Sequence, residues 1–468
     1  MTRLVLGIDS STQSCTALLV DADSGEVVDR QNEPHPPGTQ VHPQDWLDAL
    51  DTATADLLLQ AHAVAVAGHQ HGMVTLADDA SFVRPAMLWN DTSSAPEAID
   101  LTARLGGAQA AADLIGSVPV AALTATKLAW LRAHEPDDAE RTATVLLPHD
   151  LLTWHLGRRR EFTTDHSDAS GTGYYCPRER RLLPGLAADL LGHQPALPRV
   201  ADPDEEVGRT RTGAVVAAGM GDNAAAAFGL GLAPGEMAVS LGTSGVACTV
   251  ADAPAHDGTG EVSGFCDATG RYLPLACTLN GARVLDLACS LLGVDHAGLD
   301  ELALAAPADA DGLVLLPYLD GERTPNRPEA TGLLHGLRSG TSRQSVARAF
   351  VHGLLCSVRD AMNAVERATG VTTTRVLLIG GGANSRAVRE LAPTIFATPV
   401  DVPDPADYVA LGAARQAAWV LSGKPDPPAW QAFSATTFTG EPNPDVVQAH
   451  HALREATDPG AWRPHPSR

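Results

Sequence analysis

Residues 3–20 read RLVLGIDSSTQSCTALLV: an apolar run closing on Gly7-Ile8-Asp9, a polar turn over Ser10-Ser11-Thr12-Gln13-Ser14, and a second apolar run from Cys15 to Val20. Another turn follows at Asp21-Ala22-Asp23-Ser24-Gly25, so the segment predicts strand, hydroxyl-rich turn, strand, turn, strand. Residues 237–250, MAVSLGTSGVACTV, repeat the plan around Gly242-Thr243-Ser244-Gly245. A hairpin of the same build at the head of each half indicates an internal duplication. Short Val/Leu/Ile runs also alternate with longer segments of helical period, as in Trp46 to His62 then Ala63 to Gly68, and Gln344 to Thr369 then Val376 to Gly380. That alternation predicts an α/β fold with helices layered on a mixed sheet in each half.

A chain of 468 residues exceeds one ordinary core and calls for two domains. The expected division lies near Arg209–Gly213, giving domains over 1–212 and 213–430, with a Pro-, His- and Thr-rich tail over 431–468 expected to pack loosely. The formal net charge of -23 repels phosphate backbones and anionic lipid, which argues against nucleic acid and membrane surfaces as partners. Seven scattered cysteines without a CxxC pair suit reduced thiols, no window has the ~18 apolar residues of a membrane span, and no apolar leader precedes the first strand. A cytoplasmic protein is the expectation.

Three loops invite phosphate. Asp9 to Ser14 offers main-chain N–H groups and hydroxyls beside one carboxylate, a combination suited to a phosphate and a divalent cation. The Gly242–Gly245 turn repeats it, and Gly380-Gly381-Gly382-Ala383-Asn384 joins an apolar strand to a helical stretch over Arg386 to Phe396. Each is also an ordinary turn by composition. Phosphate lysines are missing: Lys127 and Lys424 are the only lysines, and neither completes a P-loop or a protein-kinase strand. Backbone, hydroxyls and metal must hold the phosphates instead.

Asp222, in GMGDNAAAAFGLG, falls where a small-residue strand gives way to an alanine-rich helix. It is either a simple helix cap or a general base for a hydroxyl, kept ionised by the helix dipole. His69 and His71 flank Gln70 in VAGHQHGM; zinc would need further ligands, and no Cys or acidic residue stands at a characteristic spacing. Core histidines or substrate contacts remain. Residues 84–91, RPAMLWND, predict a short strand ending in Trp89-Asn90-Asp91, where amide, carboxylate and indole would suit a polyol.

Together these motifs resemble the FGGY family of carbohydrate kinases, and within it the branch that acts on xylulose. The likeness runs from Leu4 to about Ala418 and is carried by GIDSSTQS, AGHQHG, RPAMLWND, TATKLAWLRAHEPD, LLPHDLL, TDHSDASGT, GMGDNAAAAFGLG, SLGTSG, LPYLDGERTPNRPEATG, LIGGGANS and LGAARQAA. It implies two actin-like ATPase domains of the ribonuclease H type around a central cleft. It also implies ATP and Mg²⁺ as cofactors, D-xylulose as acceptor and D-xylulose 5-phosphate as product, with another ketose or polyol (ribulose, a deoxyketose, a sugar alcohol) as the alternative. A catalytically silent sugar sensor is the other alternative. A homodimer is common in that family.

By the same resemblance Asp222 is the catalytic base. Gln70, His71, Trp89, Asn90, Asp91 and Asn223 line or support the sugar site. Ser11, Thr12, Gly242 and Thr243 belong to the phosphate loops, Gly381, Gly382, Ala383 and Asn384 to the adenosine loop, and Asp9 to the metal. The chain departs from the family where AGQMHG is usual: Gln70 replaces Met, exchanging an apolar wall for an amide with two donors and an acceptor, which bears on sugar choice.

Overall fold

The computed structural model describes residues 3–430 and 433–457. It divides into two compact units. The first takes the chain to Leu232 with Ala251–Pro274 and Ala406–Ala432; the second takes Ala233–Val250, Leu275–Pro405 and the chain from Phe433.

In the first unit the strands of the large sheet are β1 (Leu4–Ser10), β2 (Ser14–Asp21), β3 (Val27–Pro34), β4 (Ala63–Gly68), β5 (Glu206–Arg209), β6 (Val215–Ala217) and β7 (Met220–Gly221). They form one sheet in the order β5-β6-β4-β1-β2-β3, with β7 also on β4. The opening hairpin is as predicted: β1 and β2 pair antiparallel from Leu4↔Asp21 to Ser10↔Cys15, and β4 lies parallel to β1. On one face Leu6, Ile8, Val64 and Val66 bury against Trp46, Leu47 and Leu50 of the helix Pro43–Thr54. On the other lies the helix Tyr408–Ser422, which crosses the helix Asp222–Leu230 closely. Glycine makes that crossing feasible, because a Cβ on Gly229 or Gly412 would stand 2.0 Å from a carbonyl oxygen of the other helix.

The second unit has strands β8 (Glu236–Leu241), β9 (Gly245–Thr249), β10 (Tyr272–Thr278), β11 (Arg375–Ile379), β12 (Val400–Pro403) and β13 (Ala435–Phe438), ordered β10-β9-β8-β11-β12-β13. Here too a hairpin, β8–β9, is followed by a parallel partner, β11, beside its first strand. The 27-residue helix Arg343–Thr369 packs on β9.

Two expectations need correction. The division does not fall near 213, because Val215 and Val216 pair with Ala63 and Val64 and Met220 pairs with Ala67, which ties 215–221 into the first sheet. The tail is not loose over its described part: β13 pairs antiparallel with β12, and the helix Pro444–Ala456 buries His450 and joins Arg454 to Asp360 at 2.7 Å. Residues 431, 432 and 458–468 lie outside the described residues.

Candidate active site

In the first unit three strand ends lie side by side. Register sets Asp9 against Ala67 and Ser10 against Gly68 across β1 and β4, and Gly221 against Gly68 across β7 and β4. The chain beyond each end carries polar side chains: Ser11 and Thr12, Gln70 and His71, Asp222 and Asn223.

Asp9 has one carboxylate oxygen enclosed without a hydrogen-bonding partner. Burial, then the nearby carboxylates of Asp222 and Asp407, push its carboxyl up to about 8. An enclosed carboxylate oxygen beside further negative charge suits a divalent cation. Ser11 and Thr12 are half-buried in the following turn, where Ser11 donates main-chain N–H and hydroxyl to the carbonyl of Ser14 at 3.0 and 3.1 Å.

Asp222 is the first residue of its helix, with Gly221 as the cap. Its Oδ1 accepts from the main-chain N of Asn223 at 2.7 Å and from Asn223 Nδ2 at 3.1 Å. Burial nevertheless outweighs these donors and the N–H of Gln70, pushing the carboxyl up to about 6. The helix terminus therefore does not hold it below the ordinary range, contrary to the dipole argument alone; a carboxylate so placed is a stronger base that is still ionised near neutral pH.

The strand end beneath Asp222 is fixed by residues that the sequence did not single out. Gln416 clasps Gly219, accepting its N–H at 2.9 Å and donating to its carbonyl at 3.2 Å. Ser167 Oγ accepts the N–H of Gly221 at 3.0 Å and donates to Asp165 at 2.6 Å. His149 lies 3.3 Å from the carbonyl of Ala218 through Nε2 and 2.6 Å from Asp168 through Nδ1. The motifs LLPHDLL and TDHSDASGT contain His149 and Ser167, but a buried role leaves no local spacing signal. Among the described residues, His149, Asp150 and Asp168 are the only cluster of three His, Cys, Asp or Glu side chains close enough to share one ion, and all three are buried. Burial opposes a charge on His149, but Asp150 and Asp168 outweigh it and push the imidazole up to about 10, which favours an ion pair over the neutral imidazole that a metal would require.

The strand β4 ends at Gly68, so strand alternation does not set the directions of His69, Gln70 and His71. His69 is buried edge-on against Trp46, with centroids 5.1 Å apart, and burial keeps it neutral. His71 adopts a left-handed φ of 70°, and its Nδ1 lies 2.7 Å from the carbonyl of Gly171. A Cβ on Gly171 would come within 2.7 Å of that nitrogen, so only glycine admits the imidazole there. Gln70 is 3% exposed and its amide is engaged inside the protein, with Nε2 3.1 Å from the Ser167 carbonyl and Oε1 3.1 Å from Asn223 Nδ2. Its amide is thus bonded within the protein on both sides, the arrangement of a residue that supports the site rather than lines it.

The RPAMLWND strand shrinks to Ala86–Met87. Trp89 is 46% exposed and donates from Nε1 to Thr12 Oγ1 at 2.9 Å, joining the two polar stretches of this unit. Asn90 is half-buried with Oδ1 enclosed and unpartnered. Asp91 is buried and accepts from Gln40 Nε2 and the Ser93 N–H, each at 2.9 Å, so it anchors the loop. Burial alone would raise its carboxyl, but the bonds from Ser93 and Gln40 and the charge of Lys127 hold it below the ordinary value.

In the second unit the turn after β8 and the glycine run after β11 are neighbours, because Ser240 pairs with Ile379. Ala282 and Gly281 donate their N–H groups to Gly242 and Thr243 at 2.7 and 3.0 Å. Gly380, at φ 88°, packs so close to Leu241 that a Cβ would meet its carbonyl at 2.7 Å, whereas a Cβ on Gly381 would meet nothing within 4 Å. Thr243, Gly381 and Asn384 are exposed, while Gly382 and Ala383 are buried and form the base of the loop.

Comparison with known proteins agrees with this architecture. Residues 4–231 match the N-terminal domain of the FGGY family of carbohydrate kinases and residues 237–421 its C-terminal domain. The chain is 44% identical over 436 residues to the xylulose kinase of Streptomyces coelicolor, covering 90% of this chain and 89% of that one. It superposes on the crystal structure of xylulose kinase from Bifidobacterium adolescentis with a TM-score of 0.92 at 43% identity, covering 97% and 99% of the two chains. Plasmodium falciparum glycerol kinase with ADP has the same fold at TM-score 0.85 and 15% identity over 97% of each chain. Two duplicated α/β units of the actin-like ATPase type, matched along both halves by the same family, place this chain in the FGGY family of carbohydrate kinases.

Proposed function

We propose that the chain transfers the γ-phosphoryl group of ATP to the terminal hydroxyl of D-xylulose, giving D-xylulose 5-phosphate, with Asp222 as the general base. The observation that carries this is the Asp222 carboxylate: half-buried at a helix start, fixed by Asn223 and Gln70, and raised by burial to about 6. Support for xylulose comes from the relatives of that printed activity at 44% identity.

Asp222 takes the hydroxyl proton as the sugar oxygen attacks the phosphorus, a contribution of about 10²- to 10⁴-fold. His71, Asn223 and Trp89 orient the sugar, with Gln70, Asn90 and Asp91 supporting them. Thr12, whose hydroxyl accepts from Trp89 and keeps its own proton to donate, faces phosphate in the first unit, with Ser11 bracing the turn through Ser14. Gly242 and Thr243, with Gly381 and Asn384 over the base of Gly382 and Ala383, receive the nucleotide in the second. Asp9 would hold Mg²⁺, which when bound neutralises phosphate charge.

Two measurements test the reading. Asp222→Asn should lose at least about 10²-fold in kcat in a coupled ADP assay while unfolding like the wild type; a mutant with full turnover removes Asp222 as base. A panel of ketoses and polyols should give D-xylulose the highest kcat/KM, and a better acceptor in that panel would replace it.

A further inference from the structure

We propose that Gln70 is a positioning residue that sets the polarity of the Asn223 amide, turning both its N–H groups toward the protein and its carbonyl oxygen toward the sugar. The inference rests on the reading of Asp222 and Asn223 given above.

The constraint begins at Ser167, whose main-chain carbonyl can only accept. Gln70 lies 3.1 Å from that oxygen, so it must present its NH₂ there and its Oε1 on the opposite side. Asn223 Nδ2 stands 3.1 Å from that Oε1, and only a donor satisfies it. The second hydrogen of the same nitrogen reaches Asp222 Oδ1 at 3.1 Å. With both N–H groups committed, the carbonyl oxygen is the polar atom of Asn223 that makes no hydrogen bond among the described residues.

Nothing in this relay is free to turn over. Gln70 is 3% exposed, and a Cβ on Gly221 would come within 2.8 Å of its Cγ and Nε2, so the amide lies flat on the strand end. Ser167 is itself fixed by Asp165, which accepts from its N–H at 2.8 Å and its hydroxyl at 2.6 Å. A thioether at position 70 would fill similar volume but could not donate to Ser167 and would accept only weakly from Asn223. Asn223 would then be able to rotate end for end, offering a donor where the wild type offers an acceptor and withdrawing a donor from Asp222. The ligand group this geometry selects is a hydroxyl that donates, and a site built around such a bond discriminates against analogues that lack it.

A double-mutant cycle in kcat/KM for D-xylulose tests the coupling. Gln70→Met should cost about ten-fold in otherwise wild-type protein and less than about two-fold in an Asn223→Ala background, because the effect passes through Asn223. Losses that multiply, or no loss from Gln70→Met alone, overturn the proposal. A second readout needs neither activity nor a folded Met variant. In protein labelled with ¹⁵N-asparagine, the side-chain signal missing from Asn223→Ala identifies Asn223, and its two hydrogens should exchange slowly with solvent in the wild type. Rapid exchange of both overturns the role of Gln70. The two ideas fail separately: full turnover by Asp222→Asn removes the base assignment and leaves the exchange result standing, whereas rapid exchange removes only the relay.

Discussion

Lys127 is one of two lysines in the chain, and it touches no solvent. Its Nζ donates to the carbonyls of Ala121 and Ala122, and burial, opposed by Asp91, pushes its ammonium down to about 7. The consequence for stability has a definite sign. Between pH 7 and the ordinary lysine value of 10.5 the unfolded chain holds a proton that the folded chain has released, so this group adds stability as pH rises through that window. Lys127→Met should therefore lose more stability relative to wild type at pH 9 than at pH 6 in urea unfolding. A deficit that is constant or shrinks with pH would show that Lys127 stays charged in the fold. The same residue explains why no phosphate lysine could be found: the one lysine in a motif is used to pin the loop over 120–123.

At the scale of elements, His149 joins three of them: its own helix Pro148–Leu156, the turn of helix His166–Ala169 that carries Asp168, and the segment at Ala218 leading to β7. Replacing it by leucine leaves two buried carboxylates without a cation and should cost about 3–5 kcal/mol in urea unfolding. Adding Asp168→Asn should recover part of that loss, and a cost of His149→Leu below about 1 kcal/mol would mean the triad is not an ion pair. Elements of this kind mark the limit of what the sequence makes legible. The hairpins at 3–20 and 237–250, the strand Ala63–Gly68 and the helix Arg386–Phe396 are readable because each has its own period and its own turn residues. The membership of 215–221 in the first sheet is not, because pairing with Ala63–Gly68 is a long-range choice that short apolar runs do not announce. Position 70 fails for the same reason: Gln70 stands next to His71 in sequence, yet a partner 97 residues away at Ser167 decides that its amide faces inward.

Across the whole molecule the same ladder occurs twice, a hairpin followed by a parallel strand beside its first member, but the two exits are dressed differently. In the first unit the chain after β4 and β7 carries Gln70, His71, Asp222 and Asn223, side chains that match a polyol and its proton. In the second unit the chain after β8 and β11 carries Gly242, Thr243 and the Gly380–Gly382 run, which offers main-chain donors and space but no acid or base. Under the function proposed above, this division gives sugar chemistry to one unit and nucleotide binding to the other. Hydrogen exchange read by mass spectrometry separates the two, since each ligand can be added alone. D-xylulose should slow exchange in peptides covering 69–72, 89–91 and 220–223, and leave 241–245 and 380–385 unchanged; ADP with Mg²⁺ should protect 241–245 and 380–385 and leave 69–72 and 89–91 unchanged. Protection by ADP confined to the first unit, or by sugar confined to the second, would invert the assignment and with it the roles given to both glycine loops.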